Sequence, residues 1–218
     1  MALWVLSFCI MAIEAWGSIY FFDTFLKKKD AGRLQRCRYV VLYFAVVTVA
    51  FLGEYVVSMG IKALLAVLAL TVFCVAFYKT DWKQSIFFSG LDYSLYFLAD
   101  LLSVQLENIL VNSEKVYISK PVFFAMSAKL AWLCVVFILR KIWKGQNNYG
   151  ELSRKEWLKF SMIPLLTVAS MLLMFFCGST ETKVQTAYLF LSVGLIFINI
   201  FVIELLQGIL EKEELLRE

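Results

Sequence analysis

The sequence predicts an all-α, polytopic integral membrane protein of seven transmembrane helices, or of six spans with one re-entrant segment. The chain of 218 residues is 61% hydrophobic and has a mean hydropathy of +0.77, whereas a soluble domain is about 45–50% apolar. Its apolar stretches are continuous and do not alternate every second residue, which favours helices over the strands of a membrane barrel. A final polar stretch with a helical period is expected to form a cytoplasmic helix that begins a coiled coil.

The first three apolar stretches cover residues 3–26, 39–55 and 61–78. The first has no basic segment ahead of it and no small-residue cleavage site, so we interpret it as a retained span and not as a signal peptide. Glu14 lies near the middle of this span. A carboxylate at that depth is expensive in lipid and is expected to have a partner inside the protein.

The fourth stretch, residues 85–108, contains a polar stripe. Seven polar residues follow one another in steps of three or four: Ser85, Ser89, Asp92, Tyr96, Asp100, Ser103 and Glu107. This spacing places all of them on one face of an α-helix. Because a carboxylate at mid-membrane costs about 2.5–3.5 kcal/mol on insertion scales, we expect this helix inside the bundle. The stripe is then either a ligand pocket or moving contact, or a satisfied polar seam that only joins helices.

The last three spans follow a loop expected at residues 105–120. Pro121 suits the first turn of the fifth span, which ends near residue 142 and contains Lys129. The sixth span begins at Trp157 and contains Pro164, which is expected to kink it, and the seventh covers residues 184–206.

Basic residues predict the orientation of the chain. The first, third and fifth loops with their flanks carry six, two and six of them, whereas the other loops carry only Lys62, Lys115, Lys120 and Lys183. By the positive-inside rule the amino terminus is outside and the carboxy terminus is cytoplasmic. We interpret the basic loops as orientation signals that contact anionic lipid, and we expect no nucleic-acid partner.

The intramembrane charges define the predicted site. Asp100 and Lys129 lie about 6 and 12 Å below the outer ends of their helices, so a salt bridge between them is feasible and leaves Asp92 and Glu14 without a cation. A pocket between the fourth and fifth spans is therefore predicted to bind an extracellular ligand. The candidate ligand-binding residues are Asp92, Tyr96, Asp100, Glu107, Lys129 and Glu14. The excess of acids favours a cationic or neutral peptide.

Enzyme chemistry has little support in the sequence. The chain contains no histidine, which removes the usual general base and the commonest metal ligand, and its cysteines form no CxxC pair. Asp92 and Asp100 are about 12 Å apart along one helix axis, too far to share a proton. We expect no catalytic residue, metal or cofactor, although lysine-assisted serine chemistry stays open on spacing alone.

The carboxy terminus keeps a helical apolar period beyond the last span. We therefore divide the chain into a transmembrane domain at residues 1–206 and the start of a cytoplasmic helix at residues 207–218. The candidate residues for signal transmission are Leu206, Gly208, Ile209 and Leu216. At most two heptads are present, so the alternative is a frayed amphipathic tail.

The layout resembles a known receptor family. Seven spans, an outside amino terminus and the exit IFINIFVIELLQGILEKEELLRE at residues 196–218 are similar to the sensor half of GHKL-type histidine kinases of the accessory-gene-regulator branch. These kinases are receptors for secreted peptides in Gram-positive bacteria. Residues 21–29 and the stretch FYKTDWKQSIFF at residues 77–88 look like that family too. The resemblance covers essentially the whole chain.

The resemblance implies a transmembrane sensor domain in a bacterial plasma membrane. It implies a homodimer that relays a peptide or small-ligand signal through the last helix to a cytoplasmic kinase domain and a response regulator. Because the chain lacks histidine and ATP-binding boxes, that kinase is expected beyond residue 218. The alternative is a small-solute transporter or the substrate-binding subunit of an importer, although we find neither an inverted repeat nor a pair of glycine-broken helices.

Overall fold

The structure is a computed structural model that describes residues 2–29, 32–55, 59–112, 121–143, 154–176 and 182–215. These residues form seven helices: α1 Ala2–Phe25, α2 Gly32–Tyr55, α3 Met59–Phe77, α4 Trp82–Asn112, α5 Pro121–Ile142, α6 Arg154–Phe176 and α7 Thr182–Leu215. The only extended pairing within the described ranges is an antiparallel bridge between Lys28 and Tyr78. The all-helical prediction is confirmed, and α5 has the bounds expected from Pro121.

Three helices contain a stretch that is long and apolar enough to cross a membrane: Ser7–Phe25, Gln35–Leu52 and Thr186–Leu210. Two shorter apolar stretches occupy Ile61–Phe77 and Lys159–Met174. The outer surface also carries large apolar side chains that are more than 60% exposed: Phe44, Phe51, Leu64, Val72, Leu165, Leu166, Leu173, Phe190, Phe197 and Phe201. A surface of this kind suits contact with lipid better than contact with water, so the fold is consistent with a membrane protein.

Helix α4 lies at the centre of the bundle. It packs against α3, α5, α6 and α7 and also contacts α1. Polar and apolar side chains in its first half are both buried, as Ser85, Asp92, Phe87 and Leu91 illustrate. Because neighbouring helices surround it, each face must be either apolar or hydrogen-bonded. The expected interior position of this helix is confirmed.

The prediction of a loop at residues 105–120 is wrong for residues 105–112, because α4 continues to Asn112. Gln105 is buried, and its Oε1 accepts a hydrogen bond from the Ser192 hydroxyl of α7 at 3.4 Å. A polar residue therefore ends the apolar stretch without ending the helix. Residues 113–120 lie outside the described ranges.

Several helix ends meet at one end of the bundle, which we call the basic end. The bridge between Lys28 and Tyr78 joins the α1–α2 and α3–α4 connections there. Phe25 at the end of α1 packs against Trp143 after α5, with ring centroids 5.0 Å apart. Exposed cations gather at this end: Lys27, Lys28, Arg36, Lys79, Arg140 and Lys141.

Helices α6 and α7 complete the bundle. Helix α6 continues through Pro164, which lies opposite Gly90 of α4, where an added Cβ would be 3.6 Å from the proline Cβ. Helix α7 continues through Gly208 to Leu215, so the boundary expected after Leu206 falls inside a helix. Leu206 is buried in the main core and Ile209 is partly buried against it. Leu216 lies outside the described residues.

Candidate functional site

The Lys129 ammonium of α5 is the centre of a buried ion cluster, which we call the Lys129 cluster. Lys129 Nζ lies 2.7 Å from Asp100 Oδ1 of α4 and 3.0 Å from Glu14 Oε1 of α1. It also donates a hydrogen bond to Tyr96 Oη at 2.6 Å. An ammonium has three donor hydrogens, so these three acceptors satisfy it. The cluster ties α1, α4 and α5 together at one level.

Tyr96 links the members of this cluster. Its hydroxyl accepts from Lys129 and donates to Glu14 Oε1 at 2.5 Å. The Lys129 ammonium also lies 3.8 Å from the centroid of the Tyr96 ring, which is a cation–π contact. The edge of Trp132 packs on the same ring, with centroids 5.6 Å apart. The Tyr96 hydroxyl thus lies between the ammonium and Glu14 and bonds to both.

The ion pair expected between Asp100 and Lys129 is present. The expectation that Glu14 lacks a cation is wrong, because Glu14 shares the same ammonium. The reason is the close approach of α1 to α5 at Gly17. A Cβ at Gly17 would lie 2.2 Å from a ring carbon of Trp132, so only glycine leaves room for this contact.

The three charged groups differ in their access to solvent. The side chain of Lys129 is 6% exposed and that of Glu14 is 15% exposed, whereas that of Asp100 is 33% exposed. A ligand that approaches the cluster therefore meets the Asp100 carboxylate first. The cluster contains one positive and two negative groups, so with both carboxylates ionised it favours a cationic ligand.

Asp92 lies one helical turn from Tyr96 on the same face of α4 but is separate from the ion cluster. Its side chain is fully buried, and the Ser18 hydroxyl of α1 hydrogen-bonds to it. Among the described residues, its Oδ1 has no hydrogen-bond partner. Nearby, the Ser89 hydroxyl contacts Cys74 Sγ of α3 at 3.8 Å.

A second polar contact joins α4 to α6 and α7. The Ser94 hydroxyl is 3.3 Å from Asn199 Oδ1, and Asn199 Nδ2 donates to Thr167 Oγ1 at 3.0 Å and to the Leu195 carbonyl at 2.8 Å. All these groups are uncharged, and Ser94, Thr167 and Asn199 are buried. This seam connects the central helix to α6 and α7. Sequence reasoning missed it, because Ser94 is not on the polar stripe.

A second ion cluster, the Asp23 cluster, was also missed. Asp23 Oδ1 and Oδ2 accept from Arg38 Nη1 and Nη2 at 2.7 and 2.9 Å, which is a bidentate pair. Tyr78 donates to Oδ1 at 2.8 Å, and Lys28 Nζ lies 3.1 Å from Oδ2. The available signal was an acid surrounded by phenylalanines, four residues before the lysine run.

The structure leaves one expected residue untested and shows no metal site in the ranges that it describes. Glu107 lies within α4, but its side chain is outside the described part of the chain. In the ranges that the structure describes, no group of three or more histidine, cysteine or acidic side chains is arranged to hold a metal ion. The site is therefore defined by the Lys129 cluster and Asp92.

Comparisons with known proteins add no identification. No family model, no curated protein and no solved structure matches the chain.

Proposed function

We propose that the chain is the multi-spanning membrane domain of a receptor for an extracellular ligand, most simply a cationic peptide. The observation that carries this proposal is the Asp100 carboxylate, which is one-third exposed and binds an ammonium that is almost fully buried. A cationic group that engages Asp100 competes directly with Lys129. Binding at an accessible atom would thereby alter contacts inside the bundle.

The output would pass from α4 to α7. The two helices are joined by the hydrogen bonds of Ser94 with Asn199 and of Ser192 with Gln105. Helix α7 continues five residues beyond the end of its apolar stretch at Leu210, to Leu215. A movement of α4 would pass along this helix through Leu206, Gly208 and Ile209.

The rest of the proposal follows the predicted layout. Seven spans cross a bacterial plasma membrane, with the amino terminus outside and the carboxy terminus in the cytoplasm. Two copies pair through α7, and a histidine kinase that follows residue 218 passes the signal to a response regulator. The collection of exposed cations at the basic end supports this orientation, because such residues favour the cytoplasmic side.

Ligand binding is tested with the purified chain in lipid nanodiscs, with the peptide fraction of conditioned bacterial culture medium as the probe. Trp132 contacts Tyr96 in the cluster, so binding should produce a saturable change in tryptophan fluorescence. We expect Asp100→Asn to abolish the change and Asp100→Glu to retain it. Trp132→Phe should lose the fluorescence change but still bind the peptide fraction, which is labelled so that binding can be followed directly. This variant identifies Trp132 as the reporting tryptophan. A wild-type protein that binds no fraction, or an Asp100→Asn variant that responds normally, contradicts the proposal.

Signal relay is tested by fusing a reporter kinase after residue 218 with one, two, three or four inserted residues. Each insertion turns a continuous helix by about 100°, so kinase output should rise and fall with insertion length. Output that is independent of length excludes a rigid helical relay.

The alternative proposal is a transporter, and the polar stripe supports it, since buried polar groups extend along much of α4. Uptake of a labelled cationic solute into proteoliposomes, lost in Asp100→Asn, would favour transport over reception.

A further inference from the structure

Among the described residues, Asp92 is the only acid with a buried carboxyl oxygen that has no hydrogen-bond partner. It is 1% exposed, and it lies midway along the buried face of α4. Its hydrogen bond from Ser18 leaves Oδ1 without a partner among the described residues. An ionised carboxylate removed from water requires a cation or several donors. One hydroxyl does not meet that requirement.

The neighbouring cation, Lys129, has no donor hydrogen left for Asp92. Lys129 is bound to Glu14, Asp100 and the Tyr96 hydroxyl, and these three acceptors match its three hydrogens. With both carboxylates ionised the Lys129 cluster has a net charge of −1. An ionised Asp92 would add a second uncompensated negative charge one turn away. Repulsion inside a low-dielectric bundle makes that state unfavourable.

The other groups around Asp92 do not supply a positive charge. From α3 the neighbouring titratable group is the Cys74 thiol, which contacts Ser89. From α1 it is Glu14, which is bound to Tyr96 of α4. The contact of α6 and α7 with Ser94 of α4 is made by uncharged groups, as Asn199 illustrates. None of these groups supplies a cation to Asp92.

We propose that Asp92 carries a proton in the folded protein and is an internal proton-binding site of the bundle. The protonated carboxyl is neutral, and it accepts from Ser18 through one oxygen while the other carries the hydrogen. This inference goes beyond the proposed receptor function and does not depend on it. A receptor, a transporter or a purely structural bundle would each contain the same neutral acid.

The proton is observed by infrared spectroscopy of the full chain in nanodiscs at neutral pH. A protonated carboxyl gives a carbonyl stretching band that is separate from the carboxylate bands and shifts in heavy water. We expect this band in the wild-type protein and its loss in Asp92→Asn. Asp100→Asn is the matched control, because it removes an acid from the same helix face and should retain the band. Since an asparagine amide has the shape of a neutral carboxyl, Asp92→Asn should also keep the wild-type melting temperature.

Two further measurements make the result independent of whether the variant folds. Wild-type protein carrying carboxyl-labelled aspartate should show an isotope shift of the band, and labelled glutamate should not. A wild-type spectrum without a label-sensitive acid band overturns the proposal. The melting temperature is also measured with sodium and with an equal concentration of N-methylglucamine. If sodium alone raises it in wild type and neither ion raises it in Asp92→Asn, Asp92 binds a metal cation and the proposal is overturned.

Discussion

The two ion clusters are built from the same parts in opposite proportions. The Lys129 cluster has one cation, two carboxylates and the Tyr96 hydroxyl, whereas the Asp23 cluster has one carboxylate, two cations and the Tyr78 hydroxyl. Both use α1, on which Glu14 and Asp23 are nine residues, or about 14 Å, apart.

Their difference lies in what remains when the central group is lost. Without Lys129, both Glu14 and Asp100 remain unpaired, and Glu14 is largely buried. Without the Asp23 charge, Lys28 can turn toward solvent, since its side chain is already 49% exposed, and Arg38, whose side chain is 10% exposed, is left without a carboxylate. We therefore expect the exposure of the partners left behind, more than the number of ion contacts, to decide how much a cluster matters.

The largest expected effect comes from Lys129→Met. Removal of one partner from a buried ion pair costs about 3–5 kcal/mol, and here two carboxylates lose the same cation. The free energy of unfolding, measured by denaturant titration in mixed micelles, should fall by that amount. The triple variant that adds Glu14→Gln and Asp100→Asn should recover much of the loss. A single variant as stable as wild type would show that the three groups are already solvated.

Gly17→Ala is expected to have the next largest effect. The new methyl group would lie 2.2 Å from the Trp132 ring, so the ring must move or α1 and α5 must separate, and overpacking of this kind costs about 1–3 kcal/mol. Either shift should weaken the pair of Glu14 with Lys129 and leave the Asp23 cluster intact. Thermal unfolding measures the loss, and Gly194→Ala, which meets no atom within 4 Å, is the control. Equal melting temperatures for the two variants would contradict the close approach.

Asp23→Asn is expected to cost about 2 kcal/mol, within the range for hydrogen bonds to charged groups. The amide keeps one acceptor for Arg38 or Tyr78 but loses the bidentate pair. Tyr78→Phe, which removes one hydrogen bond, should cost about 1 kcal/mol. Both values come from the same denaturant titration. A loss in Asp23→Asn that matches Lys129→Met would erase the distinction between the clusters.

The smallest effect is expected for Lys28→Gln, because a half-exposed ion pair contributes about 0–1 kcal/mol. Its contribution should also fall as salt is raised from low to physiological ionic strength. Melting curves at the two salt concentrations measure it, with the exposed Lys27→Gln as the control. A salt-independent loss would mean that Lys28 is screened from solvent.

The sequence was sufficient for features that depend on spacing within one helix. The stripe through Asp92, Tyr96 and Asp100 predicted a buried central helix, and a single acid and base at feasible depths predicted the pair of Asp100 with Lys129. Both are properties of helical geometry and of the expense of charge in an apolar interior.

Features that depend on the relative height of separate helices were not predictable. Glu14, near the middle of α1, was expected to lack a cation, but the packing of Trp132 over Gly17 brings it to the level of Lys129. Asp23 was hidden by its neighbours, since an acid beside three lysines is also typical of a solvated loop. Asn199 gave no periodic signal, and its place is shown by its contacts with Ser94 and Thr167.

The bridge between Lys28 and Tyr78 has a mechanical consequence. The Lys29 amide donates to the Phe77 carbonyl at 3.0 Å, and the Lys79 amide donates to the Lys27 carbonyl at 2.8 Å. The Gln35 side-chain amide donates to the Lys29 and Phe77 carbonyls, one on each side of the bridge. Helices α2 and α3 therefore form a hairpin, and the start of α2 and the end of α3 are held together by these hydrogen bonds at the basic end. Any swing of this hairpin relative to α4 has its pivot at the basic end, and its largest amplitude falls at the opposite end of the bundle.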